Sequence, residues 1–371
     1  MFCEVEFLAV GDGTRPGDAI IVRYGDPNHY GLMVVDGGTA NCGESLVAHL
    51  RKHFGQFVAL EHVVLTHSDA DHASGLREVL REIPAAHLWL HIPWLLSEYA
   101  IPLFRHKGWT KDSLAAAIKK EYDIVAEIVD MAIAQGSLLH YPFQGEQIGP
   151  FVVLSPSWAQ YLYLLPQFDK TPEPDQALLE TAGLWIGKPS SNPLLAILEK
   201  AAAKVQNWIP ESWANERLRD GGVTSASNES SVVLYANISP QRRILLTGDA
   251  GPRALSWAAA YARVSGYPLQ SFRFVQVPHH GSRRNVGPSI LNELVGPIQP
   301  EGTQRFTAFV SAPKDDDTHP RKIVLNAFMR RGAKVIATQG TNKIHYGGFP
   351  KRDGYVDAEI LPFAPTVEDY D

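Results

Sequence analysis

The stretch that decides the fold is His62-Val63-Val64-Leu65-Thr66-His67-Ser68-Asp69-Ala70-Asp71-His72. A short apolar run reads as a buried strand, and the helical pattern over 74–83 begins just after the polar loop. Strand, polar loop and helix in that order form an α/β unit, whose sites gather at the carboxyl ends of strands. His67, Asp69, Asp71 and His72 are four metal-ligating side chains within six positions. A tight loop can aim alternate side chains at one centre and the remaining pair at a second. The ordinary alternative is a solvated turn whose Asp and His cap the next helix.

Working outward, short strands are expected over 5–10, 19–24 and 32–35, punctuated by Gly-Asp-Gly, Gly-Asp-Pro and Asp-Gly-Gly turns. A helix is expected over 44–53. From residue 230 strands return, at 231–236, 243–246, 272–277 and 307–310, with helices at 253–264, 288–294 and 321–331. Between 92 and 222 the pattern changes to tryptophans, prolines and long helical periods. One helix is expected over 112–135 with Gly136 as its stop, and another opening at Asn192-Pro193, where an N-cap residue precedes proline. Thr171-Pro172-Glu173-Pro174 reads as a linker. The expected organisation is an α/β domain of residues 1–91 plus 223–371, interrupted by a mostly helical insertion, 92–222. The last twenty residues read as an acidic, loosely held tail.

The 371 residues are 45% hydrophobic and 20% charged, enough apolar material for a sizeable core, which excludes wholesale disorder. A formal charge of −6 excludes a uniformly basic nucleic-acid coat but not a local basic face. Cys3 and Cys42 cannot build a disulfide framework or a four-cysteine zinc site, and are expected as free thiols. No window approaches a membrane span, and acidic residues stand where a signal peptide needs apolar ones. A cytoplasmic protein with no membrane association is the expectation.

Two further strands end in ligand-type residues. Arg243-Ile244-Leu245-Leu246-Thr247-Gly248-Asp249 delivers a carboxylate, and Phe274-Val275-Gln276-Val277-Pro278-His279-His280-Gly281-Ser282 delivers two imidazoles. Singly, Asp249 could cap a helix and either histidine could lie on the surface. Three strands that each deliver His or Asp at the carboxyl end have the form of a binuclear metal centre.

These motifs together resemble the metallo-β-lactamase superfamily, in particular the hydrolase domain of ComEC-type DNA-uptake proteins and their soluble relatives. Gly17-Asp18-Ala19, Val34-Val35-Asp36-Gly37-Gly38, Asn228-x-x-Ser231, His319-Pro320 and the Thr338-x-Gly340 turn add to the likeness, which covers 1–90 and 225–348. The resemblance implies an α/β fold, an αββα sandwich with metals at one edge of two facing sheets. It implies His67, Asp69, Asp71 and His72 as ligands, Asp249 bridging two divalent ions, and either His279 or His280, with His280 favoured, completing the second site. Two departures stand out. Asp69 replaces a second histidine, and the histidine usual before the bridging aspartate is missing from 225–236, where Asn228 or Glu229 falls nearest. Exchange of imidazole for oxygen shifts preference from Zn²⁺ toward Mn²⁺ without settling it.

The expected chemistry is attack by a metal-bridging hydroxide, with Asp71 orienting it and His319 assisting the leaving oxygen. Arg283 and Arg284 follow the histidine pair and suit phosphate, and Asn228 and Ser282 complete the expected substrate-binding set. Residues 271–352 hold 13 Lys plus Arg against 5 Asp plus Glu, so this stretch is basic within an acidic chain. A phosphodiesterase or nuclease acting on nucleic acid or a nucleotide ranks first. A small-molecule hydrolase for a phosphocholine-like ester, cyclic nucleotide or lactone ranks second. The third reading is a degenerate fold whose 92–222 insertion recruits a protein partner.

Overall fold

A computed structural model describes residues 1–10, 16–186 and 207–370. The helix expected at Asn192-Pro193 lies outside these residues. Two seven-stranded sheets face one another. In chain order the strands are β1 Phe2–Phe7, β2 Ala19–Gly25, β3 Tyr30–Gly37, β4 Leu60–Val64, β5 Ala85–Trp89, β6 Leu138–His140, β7 Gln147–Ile148, β8 Phe151–Ser155, β9 Trp208–Pro210, β10 Val233–Ser239, β11 Arg242–Leu246, β12 Phe274–Gln276, β13 Phe306–Val310, β14 Ala333–Ala337, β15 Lys343–His345 and β16 Thr366–Glu368. The first sheet runs β15-β1-β2-β3-β4-β5-β6 and the second β14-β13-β12-β11-β10-β8-β7, while β16 pairs with β9 alone. Within the first, β3 to β6 are parallel. Within the second, β11 to β14 are parallel.

Both sheets are covered on both faces, which is why their strands read as nearly continuous apolar runs rather than clean alternations. Ile20, Val22, Met33 and Val35 point between the sheets, against Leu234, Ile244, Phe274 and Phe309 of the second sheet. Ile21, Leu32 and Val34 point outward, against Leu46, Leu50, Leu76 and Val79 of the helices Ala40–Phe54 and Leu76–Glu82. On the far side, helices Pro252–Val264, Pro288–Val295 and Lys322–Arg330 cover the second sheet with Ala258, Leu291 and Phe328. The αββα sandwich is therefore present.

Among the described residues the span 92–222 carries the helices Lys111–Glu121 and Asp123–Gln135, but it does not stand apart as a domain. Leu114 and Ile118 of helix Lys111–Glu121, and Ile128 and Ala132 of helix Asp123–Gln135, share one buried cluster with the outer face of the first sheet. Its middle supplies β6 to one sheet and β7 and β8 to the other. The boundary at 92–222 thus cuts through both sheets. The short strands 138–140 and 147–148 carry too few residues to show a period of two, so the sequence reading passed over them. The helix expected over 112–135 breaks at Tyr122, whose ψ of 46° is non-helical, and ends as expected at Gly136, left-handed at φ 82°.

The acidic tail is not loosely held. Val367 is fully buried, and β16 pairs with β9. The Glu368 carboxylate accepts from Lys322 N (3.0 Å) and Ile323 N (3.2 Å), at the start of a helix whose own N-cap residue, Arg321, offers no side-chain acceptor. A net-charge reading sees only the acids, not the orphan N–H groups that one of them satisfies. Cys3 and Cys42 are buried free thiols, as expected. Among the described residues no helix is long and apolar enough to cross a membrane.

Candidate metal centre

The parallel strands end on one edge of the sandwich, and the turns beyond them meet there. After β4, the loop 66–69 leads into the short helix Ala70–Ala73. Its close fit depends on glycine: a Cβ on Gly75 would sit 2.0 Å from Gly37 O, so only glycine lets this segment dock against the end of β3. After β12, His279, His280 and Gly281 have φ of 46°, 55° and 81°, a left-handed turn that costs energy at the two histidines and brings both imidazoles toward Asp249.

Around Asp249, His72 Nε2 lies 3.3 Å from Oδ2, His67 Nε2 3.8 Å from Oδ2, and His280 Nε2 3.8 Å from Oδ1. Ligand atoms of His67, His72 and Asp249 lie within 4.8 Å of one another, as do those of Asp71, His72 and His280. Asp69 Oδ2 is 3.6 Å from His67 Nε2. All seven residues expected as ligands thus gather at one place, His279 through a direct hydrogen bond to Asp249.

Neighbouring groups fix the histidine tautomers. His280 Nδ1 faces the carbonyl oxygen of Ser311 at 3.2 Å, so it must carry the proton. His72 Nδ1 donates to Asp36 Oδ2 at 2.8 Å. Thr66 Oγ1 donates to the same carboxylate (2.7 Å) and accepts from His67 Nδ1 (3.1 Å). All three rings therefore turn an Nε2 lone pair into the cluster. These three Nε2 atoms, with Asp249 Oδ1 and Asp18 Oδ1, are buried and without a hydrogen-bond partner. Buried polar atoms are seldom left so, and a convergent set of imidazole and carboxylate lone pairs is a donor set for a divalent cation.

Burial opposes charge on His67 and His72, but the neighbouring carboxylates raise both, so a bound cation would have to displace protons from these rings. Burial opposes the charge of Asp249, yet His279, His72 and His280 hold its carboxyl well below the usual range. Burial likewise opposes ionisation of Asp69, but His67 and the Ser227 hydroxyl (2.6 Å from Oδ1) bring it down to about 2. Asp71 goes the other way, raised by burial and by the Asp249 and Asp69 charges. Burial pushes His280 down to about 3, keeping it neutral.

The histidine pair divides its work. His280 is buried, with Nε2 free, while His279 is part-exposed and uses Nδ1 in a 2.5 Å hydrogen bond to Asp249 Oδ2, with Asn228 Nδ2 3.0 Å away. The place of the absent histidine is filled by Asn228 and Ser227. Glu229 turns away: its carboxylate accepts from Ala254 N (2.6 Å) and Arg253 N (3.3 Å), capping helix Pro252–Val264.

Residues 12–150 match the model of the metallo-β-lactamase superfamily. None of the curated proteins compared with it matches. Among solved structures it is similar to Zn²⁺-bound PqqB from Methylobacterium extorquens, 12% identical over 92% of this chain and 99% of that one, with a TM-score of 0.36. It is also similar to the metallo-β-lactamase MIM-1 from Novosphingobium pentaromativorans, 9% identical over 73% of this chain and 74% of that one, with a TM-score of 0.30.

Beside the donor cluster a cleft of about 670 Å³ is lined by His279, Asn228, Ser282, Arg283 and Arg284, so all four residues expected to bind substrate face one space. His319 lies edge-on to His279, ring centres 6.5 Å apart, and its Nδ1 is 3.1 Å from Asp316 Oδ2. Two carboxylates at the centre are absent from the expected set. Asp36 orients Thr66 and His72, and the buried Asp18 lies with Asp249 and His280. Gln276 Nε2 donates to Asp18 Oδ2 (2.8 Å), while its Oε1 accepts from Thr247 N and Gly248 N, tying β2 to the turn that carries Asp249. The signal for both was at hand, since Gly17-Asp18 and Asp36-Gly37-Gly38 each set a carboxylate at a sheet edge, but they read as turns.

Proposed function

We propose that this chain is a metal-dependent phosphodiesterase acting on nucleic acid or nucleotides, in the manner of the ComEC-type hydrolase domain. The observation that carries the reading is that the donor cluster opens, through His279, on a cleft that presents the guanidinium groups of Arg283 and Arg284. Neither makes an ion pair with a carboxylate of the described residues, so both are available to a phosphate.

His67, His72, Asp69 and Asp249 would hold one ion, and Asp71, His280 and Asp249 the second, with Zn²⁺ or Mn²⁺ matching the mixed donors. Bound divalent ions lower the pKa of a water and neutralise charge growing on a phosphoryl oxygen. The chain's own residues do the rest. Arg283 and Arg284 orient the phosphate, and Asp249 fixes the His279 ring that walls the cleft. Asp71 accepts a hydrogen bond from the attacking water and directs it. His319, steadied by Asp316 and edge-on to His279, would protonate the leaving oxygen.

The test is turnover of single-stranded DNA, duplex DNA, RNA and a chromogenic phosphodiester by purified protein with Mn²⁺, Mg²⁺ or Zn²⁺, alongside Asp71→Ala. Metal-dependent cleavage lost in the variant is expected. Turnover of none of these by protein loaded with metal would overturn the reading.

A further inference from the structure

The cleft is built from three distant parts of the chain. Arg219 comes from the end of the 92–222 span, Arg283 and Arg284 from the turn after the histidine pair, and Tyr370 from the carboxyl-terminal segment. Tyr370 organises the other two. Its hydroxyl accepts a hydrogen bond from Arg219 N at 2.9 Å, and its ring lies 5.0 Å from the Arg219 guanidinium carbon and 4.7 Å from that of Arg283. Arg283 also donates to the Asp369 carbonyl oxygen. The strand Thr366–Glu368, pinned by its buried Val367, holds this segment in place.

Three guanidinium groups on one wall repel one another. Arg321 feels the same field, since burial and then the Arg283 and Arg284 charges make its protonated form harder to keep. No carboxylate of the described residues pairs with Arg219, Arg283 or Arg284. Asp220, the one acid lining the cleft, is occupied elsewhere: Oδ1 accepts from Ser289 N (3.1 Å) and Oδ2 from Ser289 Oγ (2.6 Å). Three guanidinium groups against one carboxylate leave the cleft with an excess of positive charge that favours an anion, and guanidinium forks suit phosphate oxygens.

We infer that Arg219 and Arg284, with the ring of Tyr370 steadying Arg219, form a second phosphate subsite, which holds the phosphate neighbouring the scissile one in a single-stranded nucleic-acid substrate. The inference rests on the phosphodiesterase reading for its substrate class. It gives the end of the 92–222 span and the carboxyl-terminal segment a shared task, selecting polymers over isolated esters.

The test is fluorescence anisotropy of a labelled phosphorothioate hexadeoxynucleotide, titrated with protein in EDTA across a salt series. Each phosphate contact on a single strand contributes about 0.7 to the slope of log K against log salt. Arg219→Gln is expected to reduce that slope by about this amount and weaken binding roughly tenfold, and Tyr370→Ala to weaken binding as well. Arg263→Gln, on the outer helix, is expected to change neither. An unchanged slope in Arg219→Gln overturns the subsite, as does a wild type that does not bind the oligonucleotide. Binding that depends on Arg219, in a protein that cleaves no phosphodiester, would keep the subsite and remove the phosphodiesterase reading. Cleavage of the chromogenic ester without such binding would do the reverse.

Discussion

His91 follows β5 and is buried, its ring stacked on Tyr161 at 4.3 Å between ring centres and 4.8 Å from Phe143. Neither ring nitrogen has a hydrogen-bond partner. Burial alone lowers its pKa to about 3, from 6.5 in the unfolded chain. For a base whose folded pKa is depressed, the unfolded state takes up a proton that the folded state refuses. Stability is therefore complete above pH 6.5 and falls as pH drops from 6.5 toward 3. At about 1.36 kcal/mol per unit, moving from pH 7.5 to pH 4.5 removes about 3 kcal/mol through this one residue.

His91→Phe keeps a ring between Tyr161 and Phe143 and cannot titrate. At pH 7.5 it removes an unsatisfied N–H, a gain of about 1–3 kcal/mol, against a packing cost of similar size, so little net change is expected. The assay is urea unfolding of both proteins at pH 7.5 and 4.5 in EDTA. The metal-centre histidines and His62 titrate in both proteins and cancel in the comparison. The wild type should lose about 3 kcal/mol more than the variant on acidification. Equal losses would show that His91 takes up its proton within the fold, and the argument from burial would fail.

Two more perturbations test the frame and the centre. Glu211, buried, accepts from Arg330 Nη1 (3.1 Å) and Arg217 N (2.7 Å), and Arg330 is itself fully buried. Glu211→Ala leaves that guanidinium uncompensated and should cost about 3–5 kcal/mol in urea unfolding; a loss below 1 kcal/mol would contradict the pairing. At the centre, His280→Ala should lower the metal bound per chain by elemental analysis more than His279→Ala does, since only His280 turns a free lone pair into the cluster. The opposite order would exchange the roles of the pair.

What could be read from the sequence was local. Residues 67–72 announce a centre because all four side chains stand in one loop, and the turns at 247–249 and 278–282 each follow their own strand. The rest depends on contacts that no local pattern encodes. Glu229 looked like a stand-in for the missing histidine because it is adjacent in sequence. It is instead captured by the N–H groups of a helix 25 residues further on, and that leaves Asn228 at the cleft. The boundary at 92–222 followed a change in composition, whereas the sheets admit strands as short as 147–148 whenever a neighbour offers hydrogen bonds. The tail was judged by charge. Glu368 acts through its two carboxylate oxygens on a helix start, and Tyr370 through its hydroxyl on the Arg219 backbone N–H, and those partners come into reach only once both sheets have formed. The residues that make the metal centre are therefore close in sequence to the strands that carry them, whereas those proposed to choose the substrate come from the ends of segments. Substitutions at 219 and 370 should accordingly alter which polymer is bound while leaving the fold in place.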